Sequence, residues 1–210
     1  MNPIAERNIL EIKGVSKSFP GVKALESVDI AIREGEIHAL VGENGAGKST
    51  LIKILSGAYR KDRGEIIFDG APVDIRNPNH AQQIGISTIY QEFNLANHLT
   101  VTENILLGQL PHNGPIVDWT TAKKKAREIL DTLGDNMNMD ALVGTMPVAE
   151  KQRVEIAKAL AHKSRVLIMD EPSAVLGEKD MEKLYQVIRS LKARGITIIY
   201  ISHRLIEIFD

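Results

Sequence analysis

Gly42-Glu43-Asn44-Gly45-Ala46-Gly47-Lys48-Ser49 fits the pattern G-x-x-x-x-G-K-[ST] and lies between an apolar run and an amphipathic one. A backbone that turns at Gly45 and Gly47, where a side chain would clash, points consecutive N–H groups inward at an anion. Lys48 then reaches the β- and γ-phosphates of a bound nucleotide, and the Ser49 hydroxyl is placed to ligate Mg²⁺. The flanks agree with that reading. Glu36 to Val41 reads as a buried strand, and Lys48 to Leu55 as a helix ending at Gly57, so the helix N-terminus adds its dipole to the cradle.

The 210 residues allow one large domain or two small ones, and 43% hydrophobic with 25% charged residues is ordinary for a globular protein. Lys+Arg of 26 against Asp+Glu of 27 gives a net charge of -1. No long-range field therefore draws the chain to nucleic acid or an anionic membrane. Apolar stretches such as Ile198-Ile199-Tyr200-Ile201 fall far short of the roughly 20 residues a spanning helix needs. Met1 to Glu11 lacks the apolar centre of a signal peptide. The expectation is a cytoplasmic protein whose membrane role, if it has one, comes through a partner. The absence of cysteine excludes disulfides and thiolate metal sites.

Away from the phosphate loop, Leu10 to Val15 and Val28 to Ile32 alternate as half-buried strands around a Pro20-Gly21 turn, an antiparallel edge. Asp69-Gly70 marks a hairpin between Glu65-Ile66-Ile67-Phe68 and Val73-Asp74-Ile75. Ile84 to Tyr90, Arg165 to Met169 and Ile196 to Ile201 are dense in apolar and β-branched residues, as parallel strands covered on both faces are. Ala122, Ala126, Ile129, Leu130 and Leu133 recur at helical spacing before Gly134. Val154, Ile156, Ala157 and Leu160 mark a second helix, and Leu184, Val187, Ile188 and Leu191 a last one ended by Gly195. Residues 92–160 thus read as a mostly helical insertion, in which Lys123-Lys124-Lys125 is a solvated helix face in the first reading and a contact surface in the second.

Arg165 to Met169 runs into Asp170-Glu171-Pro172, an apolar strand ending in two carboxylates. Opposite a phosphate loop, Asp170 suits Mg²⁺ held through water, and Glu171 suits orienting or deprotonating an attacking water. With Phe19-Pro20-Gly21-Val22-Lys23-Ala24-Leu25, Tyr90-Gln91-Glu92-Phe93-Asn94-Leu95, Val154-Glu155-Ile156-Ala157-Lys158-Ala159-Leu160 and Tyr200-Ile201-Ser202-His203-Arg204-Leu205, the chain resembles the ATP-binding cassette (ABC) ATPases, in the branch that powers bacterial monosaccharide import. The resemblance implies an α/β P-loop NTPase cassette with a mostly parallel core sheet, an antiparallel β edge and a helical insertion. It implies one nucleotide-binding domain over 1–210, with core 1–91 and 161–210 and helical part 92–160, lacking its closing strands. ATP and Mg²⁺ are the expected cofactors.

By the same resemblance, Gly42, Glu43, Asn44, Gly45, Ala46, Gly47, Lys48, Ser49 and Thr50 bind the nucleotide, and Phe19 stacks on adenine. Ser49, Gln91 and Asp170 contact Mg²⁺. Glu171, Gln91 and His203 are the catalytic residues, His203 touching the γ-phosphate. From the residues alone, Phe19 is equally a packing residue of an edge strand. The implied partners are a second cassette, membrane permease subunits and, indirectly, a periplasmic sugar-binding protein, with no nucleic acid. The chain would then sit on the inner face of the membrane. For Phe93 to Ile105 two roles stay open, facing the permease or packing the insertion onto the core.

Two positions depart from the family. Where its signature Leu-Ser-Gly-Gly-Gln stands, this chain has Met146-Pro147-Val148-Ala149-Glu150. Pro147 removes a serine hydroxyl that donates to the γ-phosphate of the facing subunit, a contact worth about 1.5 to 3 kcal/mol when its partner is charged. Gly177 stands where many relatives carry aspartate. The expected function is an ATP-hydrolysing subunit energising sugar import; the alternative is a truncated or regulatory cassette that binds ATP and hydrolyses it poorly.

Overall fold

The computed structural model describes residues 7–203 apart from Asn44 and Val175. Four strands form a parallel sheet in the order β3 (Ile37–Val41), β10 (Thr197–Ser202), β9 (Val166–Asp170), β6 (Ile86–Ile89). Alternation along the central strands explains its burial on both sides. Val166, Ile168, Ile199 and Ile201 face one apolar cluster, with Leu51, Ile52, Ile54 and Leu55 of helix α1 (Lys48–Leu55). Leu167, Met169, Ile198 and Tyr200 face the other, with Leu184, Val187, Ile188 and Leu191 of helix α6 (Glu178–Ala193).

The strands expected as an antiparallel edge form a sheet of their own, in the order β2 (Val22–Arg33), β1 (Asn8–Phe19), β4 (Arg63–Phe68), β5 (Ala71–Pro72). Its buried residues Ile9, Leu10, Ile12 and Ile66 join the α1 cluster, so α1 is sandwiched between two sheets. Burying each of its four Leu and Ile side chains contributes about 1.5–3 kcal/mol. The Asp69-Gly70 turn is present, pairing Phe68 with Ala71 and Ile67 with Pro72, so the return strand lies at Ala71–Pro72 and not at Val73 to Ile75. Arg165 ties this turn to β9, its guanidinium bridging Asp69 and Glu34.

Between β6 and β9 come α3 (Val101–Ile105), a small hairpin β7 (His112–Asn113) and β8 (Ile116–Val117), α4 (Trp119–Thr132) and α5 (Val148–Ala161). Ala122, Ala126 and Leu130 of α4 are fully buried, and Gly134 follows the helix as its stop. The buried residues of α3, α4 and α5 share one apolar cluster with the α6 face of the parallel sheet. Lys124 and Lys125 are exposed as expected, while Lys123 pairs with Asp140 at 2.8 Å.

Three local differences have clear causes. Helix α2 (Pro78–Ile84) takes Ile84 out of the strand predicted from it. Only Ala81 of α2 is buried, so periodicity carried no signal; the cues were Asn77, whose side chain accepts from the His80 N–H at 2.9 Å, Pro78 and Gly85. Hairpin β7–β8 interrupts the helical stretch, closed through Gly114. Strand β3, expected to be buried, leaves Ile37 and Val41 more than a third exposed, because among the described residues it pairs only with β10.

Candidate functional site

Parallel strands end at the same edge, and here the register gathers their C-terminal ends. Val41 pairs with Ser202, Ile201 with Asp170, and Ile89 with Met169. The segments that follow, Gly42 onward, Glu171, His203 and Gln91, therefore leave the sheet on one side. A cleft of about 200 Å³ opens there, lined by Val22, Lys23, Ala24, Gly45, Ala46, Gly47, Lys48, Ser49, Thr50, Asp170 and Glu171.

Gly47 is the N-cap of α1 at φ 87°, with no side chain capping the helix, so the first-turn N–H groups are left for a ligand. A Cβ on Gly47 would lie 2.6 Å from the Ala24 carbonyl oxygen and 2.7 Å from Leu25 Cδ2. Gly45 has a similar φ of 88° with nothing within 4 Å. The two glycines thus differ: Gly47 is dictated by close approach of β2 and by φ, Gly45 by φ alone. Lys48 Nζ donates to the carbonyl oxygens of Gly42 and Glu43, the second at 2.9 Å, which folds the cation across the loop.

Asp170 is half-buried at the end of β9. Burial pushes its carboxyl above the usual carboxylate range, the Glu171 charge pushes the same way, and Lys48 and Lys53 pull against both. A cation arriving at Asp170 would favour the ionised form that the site by itself disfavours. Glu171 takes a left-handed backbone at φ 48°, costing about 1–2 kcal/mol for a non-glycine residue. Its N–H donates to the Ile201 carbonyl at 3.0 Å, locking it to β10. Its Oε1 lies 3.0 Å from His203 Nδ1, so two residues 32 positions apart meet at the cleft edge.

Among the described residues no cluster of three or more His, Asp or Glu could hold a metal alone. A hydroxyl at Ser49 and a carboxylate at Asp170, both lining the cleft, are instead the hard oxygen donors suited to Mg²⁺ shared with phosphate oxygens. The donor set fits that ion.

Other sequence-derived residues sit further out. Gly42 and Glu43 belong to the loop but not to the cleft lining, and Asn44 lies outside the described residues. Gln91 is exposed two residues beyond β6 and does not line the cleft. Phe19 ends β1 opposite Val22, packs edge-on against Tyr59 at 5.4 Å, and carries Lys17 Nζ 5.5 Å from its ring centroid. Its neighbours Val22, Lys23 and Ala24 line the cleft and were not foreseen as site residues. The cue was Val22, an apolar residue just after a Pro-Gly turn, which proves 62% exposed.

At the far end of the segment between β6 and β9, Pro147 is the N-cap of α5, with no side-chain cap. The Glu150 and Lys151 N–H groups still donate to the Pro147 carbonyl at 3.0 and 3.1 Å. Pro147 therefore leaves the helix intact and removes only the hydroxyl. Gly177 similarly caps α6, with open space around a prospective Cβ.

Residues 25–174 match the ABC transporter family. Over 204 residues the chain is 54% identical to a ribose import ATP-binding protein of Rubrobacter xylanophilus, covering 97% of this chain and 41% of that protein. It is 49% identical to a putative ribose/galactose/methyl galactoside import ATP-binding protein of Burkholderia ambifaria, covering 97% of this chain and 40% of that one. The chain thus spans about two fifths of the length of these curated relatives. Among solved structures, a nucleotide-free ATP-binding cassette from an ABC transporter superposes with a TM-score of 0.84 at 28% identity, over 97% of this chain and 84% of that one. An ADP-bound conformation of another cassette gives 0.83 at 29% identity, over 95% and 82%. Because the sequence match takes in the phosphate loop with Asp170 and Glu171, and the fold is that of the cassettes, the chain belongs to the ABC transporter family.

Proposed function

We propose that this chain binds ATP with Mg²⁺ and hydrolyses it as the energising cassette of a sugar importer. The observation that carries the reading is the cleft that gathers residues 45–50 with Asp170 and Glu171 at one edge of a parallel sheet. The loop N–H groups and Lys48 hold the phosphates. Ser49 and Asp170, with Gln91 from the neighbouring loop, would hold Mg²⁺, which when bound neutralises charge on the phosphate oxygens. Glu171 takes the proton of the attacking water, and His203, in contact with Glu171, orients it and faces the γ-phosphate. Phe19 and the exposed Val22 receive the base.

The names of the relatives favour ribose or a related monosaccharide as the cargo. No helix among the described residues is long and apolar enough to cross a membrane. We assign the pathway for the sugar to permease subunits, in keeping with the import role in the relatives' names. We place the cassette on the inner membrane face, paired with a second cassette, with a periplasmic sugar-binding protein upstream. Residues 92–160 form the arm that meets the permease. Val101, Thr102, Asn104 and Ile105 are buried in packing, so docking falls to exposed neighbours such as Asn97, His98 and Leu107.

The direct test is Lys48→Ala, expected to weaken Mg²⁺-ATP binding by at least about a hundredfold, since a charge-assisted contact to phosphate is lost from a partly enclosed site. Equilibrium binding of a fluorescent ATP analogue reads this; unchanged affinity would remove the site assignment. Pro147→Ser tests the facing role of α5. A serine cap gains about 1 kcal/mol and loss of the proline costs nearly as much, so stability should hardly move. Turnover of the paired cassettes is expected to rise about ten- to a hundredfold with ATP affinity unchanged.

A further inference from the structure

Glu155 is 6% exposed on α5, an uncommon place for a carboxylate. Burial pushes its carboxyl above the usual range, against the pull of Lys158 and of one N–H donor. That donor is the backbone N–H of Asn94, at 2.5 Å from Glu155 Oε1. The carbonyl of the same Asn94 accepts from Lys158 Nζ at 2.6 Å. Positions three apart share a helix face, so both polar groups of one residue are gripped by one side of α5.

The chain beyond Asn94 is fastened as well. The fully buried Asn104 side chain accepts from the Ala96 N–H at 2.8 Å and donates to the carbonyls of Ala96, Leu99 and Thr100 at 3.0 to 3.3 Å. The Gly144 and Val143 N–H groups donate to Asn97 and Leu99. On the other side β6 ends at Ile89. Gln91 therefore lies on a short tether, Tyr90 to Phe93, between a strand of the parallel sheet and a peptide held by α5. The helix that holds it begins at Pro147.

We propose that Glu155 and Lys158 are positioning residues that latch the Asn94 peptide onto α5, so that the Gln91 loop and the Pro147 end of that helix move as one body. An α-helix rises about 1.5 Å per residue and is stiff over the roughly two to three turns from Pro147 to Glu155 and Lys158, so a displacement at its start reaches the latch undiminished. The catalytic consequence rests on the function proposed above: a partner seated at Pro147 would adjust Gln91 through Glu155 and Lys158, while ATP affinity stays with the phosphate loop.

Hydrogen exchange of residues 91–97, read by mass spectrometry with residue-level fragmentation, tests the latch in the whole chain. Glu155→Ala and Lys158→Met are expected to speed exchange at Asn94 by about tenfold and about threefold, with α4 and the β9 strand unchanged. Glu155→Gln, which keeps an acceptor, should stay within about threefold of the parent. In ATP turnover the alanine variant is expected to lose at least about tenfold in kcat with KM within about twofold, and the glutamine variant to recover most of it. Unchanged exchange at Asn94 in Glu155→Ala overturns the proposal. So does acceleration spread evenly over α4, α5 and β9, or a glutamine variant no better than alanine. A parent chain without ATP affinity would instead overturn the proposed function, and the exchange pattern would still decide the latch.

Discussion

Glu171→Gln is expected to keep ATP affinity within about twofold while lowering the hydrolysis rate at least about a hundredfold, the usual contribution of a positioned general base. Glutamine preserves the size of the side chain and the backbone N–H bond to Ile201, so the left-handed φ of 48° and the cleft shape persist. What is lost is the proton acceptor beside His203 Nδ1. His203→Ala should cost nearly as much alone, and the double variant little more than either, because the two side chains act through one contact. Phosphate release under single-turnover conditions, with binding measured separately, distinguishes this from a binding defect. Retention of more than about a tenth of parental turnover in Glu171→Gln would remove the residue from the chemistry.

Gly47→Ala should be the most damaging single methyl in the phosphate loop. Its Cβ meets the Ala24 backbone oxygen of β2 at 2.6 Å, at a bulge whose flanking residues Lys23 and Leu25 both pair with β1, so this main-chain group yields less readily than the end of a flexible side chain. The left-handed φ adds about 1–2 kcal/mol and overpacking about 1–3. We expect ATP binding reduced by at least about a hundredfold, as the first turn of α1 is pushed off its line, with a lower unfolding midpoint. Gly45→Ala is the control: it carries the same φ penalty with open space around the methyl, so most binding should survive. Equal damage from both would mean that φ, not the approach of Ala24, decides the loop.

Local cues carried much of the architecture. The dense apolar and β-branched runs of Arg165 to Met169 and Ile196 to Ile201 announced strands covered on both faces, and β9 and β10 pack that way. Ala122, Ala126 and Leu130 announced α4. Where burial was slight, the cues thinned: α2 has one buried residue and was legible only through its caps. Sheet membership was not legible either, since strands β1, β2 and β4 alternate alike whether they extend the parallel sheet or form a separate one.

The candidate site divides in the same way. A phosphate loop is contiguous, so its residue types and spacing alone announced an anion cradle at Gly42 to Ser49, and an apolar strand ending in Asp170-Glu171 announced carboxylates for it. Val22, Lys23 and Ala24 reach the cleft wall from more than 20 positions before Gly45, and the Glu171 to His203 contact and the grip of Glu155 and Lys158 on Asn94 join residues 32 to 64 positions apart. Such proximity depends on strand order and register, which no local pattern encodes. The sequence by itself determined that this chain has a phosphate-binding loop and the chemistry to use it. Only the tertiary structure decided that Gly47 rather than Gly45 is sterically compelled and which helix holds the Gln91 loop, because both depend on elements brought together by packing.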